Sequence, residues 1–292
     1  MAGLRRSEIT MLAYFLYVTV LAQFRPVDPL TKTSVILLNL FIGAVFFLLA
    51  RTVRSGRLTL ALIIRDWLPA PLIILAYREM GWMALLRTVF DTEAGWVEWD
   101  RLLLAGWGLK AAIEVLGPVL PSILEVSYSL VYATTPFAMA MVYRRDRRAR
   151  MEDLIFPILL TVLGTYALFP YFPSEPPRTV FPGELFPVWP TVFRRFNWWL
   201  LEGYGIHMSV FPSAHVSGAF ASAFAARAAI PEARWISRLL LAMAVLIATA
   251  TVYCRYHYAV DALAGFALAV LVAAVLRLGG YNGSTRARSS AG

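Results

Sequence analysis

The chain has one cysteine, Cys254, among 292 residues. No internal disulfide can form, which excludes a disulfide-stapled scaffold. Charge is also scarce: Asp, Glu, Lys and Arg make up 15% of the residues, against about 25% in an ordinary soluble domain. Histidine is rarer still, with three in the sequence, and no Cys and His cluster has the spacing of a zinc site. The 17 prolines and 18 glycines follow no period, so collagen-like sequence is excluded. What is present is apolar surface: 59% of residues are hydrophobic and the mean hydropathy is +0.64. This composition specifies an all-α, polytopic membrane helical bundle. The formal net charge of +9 first reports orientation in the bilayer, and no nucleic-acid partner is expected.

A span needs roughly 20 mainly apolar residues to cross a hydrocarbon core about 30 Å thick. Eight stretches qualify: 9–24, 33–50, 58–77, 120–143, 154–172, 213–230, 236–253 and 257–276. Arg5-Arg6 before the short first stretch also fits a cleavable signal peptide, but the next span follows at once, as in a helical hairpin, and a retained anchor is preferred. Sixteen of the 27 Lys and Arg fall in short loops and tails on one side, the densest run being Arg144 to Arg150. Ten lie in the longer loops of the other side, so both termini are expected in the cytoplasm. Arg65-Asp66, in the third stretch, reads either as a buried pair or, with the span beginning later, as residues at the cytoplasmic interface, the second being preferred because burial of charge at membrane depth is costly. The outer segments 78–118 and 173–212 hold seven of the nine tryptophans. They read first as an aromatic belt and second as interfacial helices shaping a headgroup pocket.

The polar chemistry collects at one face. His207, His215 and His257 all fall at the outer level, beside Arg255 and Asp261 at the mouth of the last span. His257 and Asp261 stand four apart, on one helix face. The carboxylate there can accept from one imidazole nitrogen and leave the other as nucleophile or base, although a purely structural hydrogen bond satisfies the same spacing. In Phe211-Pro212-Ser213-Ala214-His215, Ser213 is a candidate N-cap. The amides of the first helical turn, that of Ala214 among them, together with the helix dipole suit a phosphate oxyanion. His215, in the same turn, suits proton transfer, and an ordinary capped helix start is the alternative. Arg178 follows the proline-stiffened loop 172–177 and is a candidate bidentate phosphate clamp, as is Arg255 unless it only snorkels at the interface.

In this order, the Arg loop, Pro-Ser-x-His and His-x-x-x-Asp resemble the type 2 phosphatidic acid phosphatase superfamily. Phe211 to His215 and the run Arg255 to Gly265 (RYHYAVDALAG) resemble most its branch of aureobasidin-sensitive inositolphosphotransferases. The sequence departs from the phosphatase pattern at four places. Tyr171 stands where the first motif has Lys, Thr179 follows Arg178 in place of Pro, Ala214 replaces Gly, and Thr251 occupies the position of the third-motif Arg.

The resemblance implies about eight spans around a six-helix phosphatase-like core. It divides the chain into N-terminal membrane helices with an outer interfacial segment (1–118), a catalytic core (119–280) and a disordered cytoplasmic tail (281–292). It implies His257 as nucleophile, Asp261 orienting it, and His215 as acid and base. Arg178, Ser213, Ala214 and Arg255 would then hold the phosphate, with no metal or other cofactor. The expected partners are the bilayer, a lipid phosphoester and an alcohol acceptor or water, with chemistry at the extracytoplasmic face of a plasma or inner membrane. His207 and Tyr256 carry no motif role. Small residues at 218, 222, 226 and at 265, 269, 273 let the two helices approach and bring the histidines together. The competing class is a transporter or scaffold with structural histidines, against which the sequence shows no internal repeat and its polar residues lie at one face, away from the midplane.

Overall fold

The computed structural model describes residues 3–54, 59–83, 91–206 and 210–281, and all regular structure in them is helical. The helices are α1 (Arg6–Phe24), α2 (Pro29–Arg54), α3 (Thr59–Trp67), α4 (Pro69–Met83), α5 (Asp91–Asp100), α6 (Leu109–Glu114), α7 (Val119–Ser129), α8 (Val131–Arg144), α9 (Met151–Leu168), α10 (Pro177–Val180), α11 (Val192–Tyr204), α12 (Ala214–Ala229), α13 (Arg234–Tyr253) and α14 (Ala259–Leu278).

Among the described residues, six stretches are long and apolar enough to cross a membrane: α1, α2, the α3–α4 pair, α9 with its flanking turns, α13 and α14. Two of the eight expected spans take another form. The stretch 120–143 breaks at Leu130 into α7 and α8, and α8 carries Pro136 in its interior, which removes one i to i−4 hydrogen bond. The stretch 213–230 becomes α12, whose 16 residues measure about 24 Å. It is short because it is enclosed: α8, α9, α13 and α14 all pack against it, and most of its alanine-rich surface is buried. A helix surrounded by protein does not have to match the thickness of the lipid.

The main core runs from Met11, Phe15 and Val18 of α1 through Leu154 and Ile158 of α9 to Ala225 and Ala229 of α12. A second cluster joins Val216 and Ala219 of α12 to Ala244 and Ile247 of α13. At the end of the bundle that carries the N-terminus, Arg65 and Asp66 are both buried among protein groups. Neither pairs with the other. Arg65 makes two bonds of 2.6 Å to the Glu8 carboxylate, while Asp66 accepts from Arg5, Arg148 and Tyr143. Partners drawn from two other helices and the segments beside them make the burial tolerable, and sequence-adjacent charges give no sign of them. At the opposite end, α5, α6, α10 and α11 form the cover through which the chain reaches the histidines.

Candidate active site

The turn between α13 and α14 sets the catalytic face. Thr251 O accepts from both Tyr256 N and His257 N at 2.9 Å, folding residues 254–258 back over the end of α13. Arg255 takes φ +65° in that turn, a left-handed conformation uncommon outside glycine and of the kind that collects at functional sites. α14 starts only at Ala259, so His257 lies in the turn ahead of it.

His257 and Asp261 meet, but not as a simple pair. The His257 Nδ1 lies 3.0 Å from the carbonyl of Val210 and 3.4 Å from Asp261 Oδ2. A carbonyl only accepts, so Nδ1 carries the proton and Nε2 keeps its lone pair. Asp261 Oδ2 also accepts from Tyr258 N at 2.9 Å, which ties the carboxylate to the start of α14. Burial, reinforced by the positive charge of Arg178, lowers the His257 pKa to about 3 and holds the ring neutral.

The second motif docks on the third. Ser213 N donates to Asp261 O at 3.0 Å, and the Ser213 hydroxyl caps α12 by accepting from Val216 N. Ala214 and His215 are the first two residues of that helix, and the His215 ring stands 5.7 Å, centroid to centroid, from His257. His215 stacks on Tyr128 of α7 at 4.8 Å, and its buried Nε2 has no hydrogen-bond partner among the described residues. The approach depends on Gly265 of α14, where a Cβ would run into the Ser213 carbonyl oxygen.

The arginines close the site. Arg178 N donates to Arg255 O at 3.3 Å, its guanidinium donates to Tyr256 O at 3.4 Å and lies 5.7 Å over the Tyr256 ring. Arg178 therefore faces both histidines, the proline-stiffened loop being pinned as the spacing required. Arg255 is fully buried and paired through Nη1 with Asp100 of α5, while Nε and Nη2 have no partner among the described residues. It is no snorkelling residue: two of its donor groups remain for an anion. The structure thus brings together all seven residues that the sequence singled out, and His207 lies outside the described residues.

Four contributors were not legible. Val210 acts through its backbone, and Asp100, Tyr128 and Glu125 come from segments with no motif. Glu125 accepts from the Tyr256 hydroxyl at 2.7 Å, from Arg194 at 3.0 Å and from Asn197 at 2.8 Å, fixing the ring that stacks at 4.1 Å on Tyr128. Trp96 stacks on Phe211 and meets Tyr258 edge-on, so one tryptophan of the outer segments supports the site directly, while Trp99, Trp107 and Trp199 are exposed as a belt requires. Cys254 is buried and its thiol pKa is raised by that burial, as suits a packing residue.

One cavity of about 320 Å³ has His215 in its wall, and another of about 340 Å³ is lined by Arg178, Phe186, Trp198 and Glu202. Among the described residues, no three His, Cys, Asp or Glu side chains are grouped so as to hold a metal ion.

No curated protein and no solved structure matches the chain. The family model described as the PAP2 superfamily matches residues 96–275, from within α5 almost to the end of α14 and including every residue of the site. The chain is therefore a multi-pass helical member of the PAP2 superfamily, the group of type 2 phosphatidic acid phosphatases and related phosphotransferases that act on phosphoesters.

Proposed function

We propose that the protein is an integral-membrane lipid phosphotransferase or phosphatase that works at the extracytoplasmic face through a phosphohistidine. The observation that carries this reading is the tautomer of His257. With Nδ1–H held by the Val210 carbonyl, Nε2 is unprotonated in a buried pocket beside a second histidine and the positive charge of Arg178. Nε2 attacks phosphorus, the N–P bond forms, and the ester P–O bond breaks with its electron pair leaving on oxygen. His215 delivers a proton to that oxygen. It then takes one from an incoming alcohol or water, whose oxygen displaces His257 and restores the free imidazole. Arg178, the two unpartnered donor groups of Arg255, the Ser213 hydroxyl and the first-turn amide of Ala214 meet the equatorial oxygens, where charge grows during transfer.

The missing third-motif Arg at Thr251 is supplied from the turn itself by Arg255, a reading supported by its unpartnered buried donors. The cavity beside Arg178, with Phe186 and Trp198 as walls and Glu202 on its lining, has room for a polar headgroup or acceptor alcohol. That room, together with the Phe211 to His215 and Arg255 to Gly265 motifs, favours the inositolphosphotransferase-like branch and transfer over hydrolysis. The outward placement rests on the excess of Lys and Arg at the other end of the bundle.

The test is release of phosphate or headgroup phosphate from a phospholipid panel by purified protein, with and without added alcohols. His257→Ala, correctly folded, is expected to lose turnover by at least about three orders of magnitude, and vanadate is expected to inhibit the wild type. Products carrying the added alcohol identify a transferase, and turnover that survives in His257→Ala removes the nucleophile assignment.

A further inference from the structure

Asp100 ends α5, in the outer cover of the site, and belongs to no motif. It is fully buried, and so is its partner Arg255. Its two carboxylate oxygens hold different groups. One accepts from Arg255 Nη1; the other, Oδ1, accepts at 2.8 Å from the backbone N–H of Ala259, the first residue of α14. A single carboxylate therefore fixes a candidate phosphate clamp relative to the helix that carries Asp261. The Arg255 carbonyl in turn accepts from Arg178 N at 3.3 Å, so a shift of Arg255 reaches the second clamp as well. The pairing leaves Nε and Nη2 of Arg255 unpartnered among the described residues. These two groups form the side-on fork of the guanidinium, which takes two oxygens of one phosphate.

We infer that Asp100 is a positioning residue for phosphoryl transfer: it aims that fork at the phosphoryl oxygens and offsets the Arg255 charge, so that phosphate is oriented without being held tightly. This rests on the phosphohistidine reading above, in which Arg255 meets the equatorial oxygens. An unopposed guanidinium in a buried site attracts the anion in the ground state as strongly as in the transition state, and uniform binding of that kind adds nothing to kcat. It also retards the release of product phosphate. Loss of the carboxylate therefore has two effects of opposite sign: freed charge tightens phosphate binding, and lost aim slows transfer. A residue that only held the fold together would weaken both on removal.

The test compares wild type, Asp100→Asn, Asp100→Glu and the double variant Asp100→Asn with Arg255→Gln. Each is measured for kcat on phospholipid, for the Ki of inorganic phosphate, and for the rise in Tm that inorganic phosphate produces, which reads binding without turnover. The amide of Asn can serve Ala259 N or Arg255 Nη1 but not both, because its nitrogen only donates. Asp100→Asn is therefore expected to lower kcat by at least about tenfold, while the Ki of phosphate falls by about tenfold and its effect on Tm grows. Asp100→Glu keeps the charge and is expected to keep Ki within about threefold of wild type, with kcat reduced. The double variant leaves no charge of the pair unmatched and is expected to fold, with phosphate bound more weakly than by wild type. Weaker phosphate binding in Asp100→Asn, or an unchanged kcat, overturns the proposal. Should Asp100→Asn not fold, a change of about tenfold in the Ki of Asp100→Glu overturns it, as does a double variant with the kcat and Ki of wild type. Failure of the underlying reading looks different: wild type and His257→Ala then behave alike on every substrate.

Discussion

His257 is held by a backbone carbonyl as much as by the carboxylate four residues on. That division has a physical use. A fully engaged Asp261 would draw the imidazole towards its charged form, whereas the neutral Val210 carbonyl fixes the tautomer without adding charge. Burial lowers the folded-state pKa to about 3, below the ordinary value of 6.5 for the unfolded chain. Between pH 6.5 and 3 the unfolded chain therefore binds a proton at this position that the folded chain does not, and stability is lost as pH falls through that window. Thermal unfolding in detergent is expected to show a Tm that declines from pH 6.5 to pH 4. In His257→Gln, which cannot titrate, the decline is expected to be shallower; an identical slope in the two proteins would mean that His257 is not held neutral. Arg255 shows the complementary arrangement. Asp100 neutralises part of a guanidinium that no water reaches, and the donors left over are those an incoming phosphate needs.

At the scale of elements, the site exists because two helix ends touch. The capped start of α12 rests on the first turns of α14, with Ser213 N bonded to Asp261 O and Ser213 O packed on Gly265. In a free helix Gly→Ala is stabilising by up to about 1 kcal/mol. Here the added methyl meets a backbone carbonyl that is itself bonded to Ser217 N and cannot rotate away. Gly265→Ala is therefore expected to cost about 1–3 kcal/mol and to lower kcat by moving His215 away from His257, as checked by Tm and steady-state kinetics together. A gain in Tm with full activity would show that the contact relaxes freely. The small-residue stripes were legible in the sequence, but their neighbours were not: Gly218 faces Val162 of α9 and Ser222 bonds Thr135 of α8, whereas Gly265 and Ala269 serve the α12–α14 approach. The motifs were legible because their chemistry is local, within five residues for Phe211 to His215 and for His257 to Asp261. The break at Leu130 and the shortness of α12 were not, since both depend on which helices surround a segment and hydropathy along the chain does not encode that.

On the scale of the whole molecule, the family-matched residues 96–275 hold every side chain of the candidate site, yet α4 walls the cavity at His215 and α1 packs through the core to α9 and α4. At the end of the bundle away from the histidines, Asp66 of α3 joins the two halves through Tyr143 and Arg148, and within the N-terminal half Glu8 of α1 pairs with Arg65 of α3. Glu8 and Arg65 are 0% and 3% exposed, so removing one partner leaves the other uncompensated in a low-dielectric interior. Arg65→Met alone is expected to destabilise by about 3–5 kcal/mol, whereas Glu8→Leu with Arg65→Met is expected to recover most of it, because a matched apolar pair has no charge to desolvate. Comparison of Tm for the wild type, both single variants and the double variant measures the coupling. If the double variant were as unstable as the sum of the singles, the pair would contribute through separate contacts, and α1 would be held to α3 by packing alone.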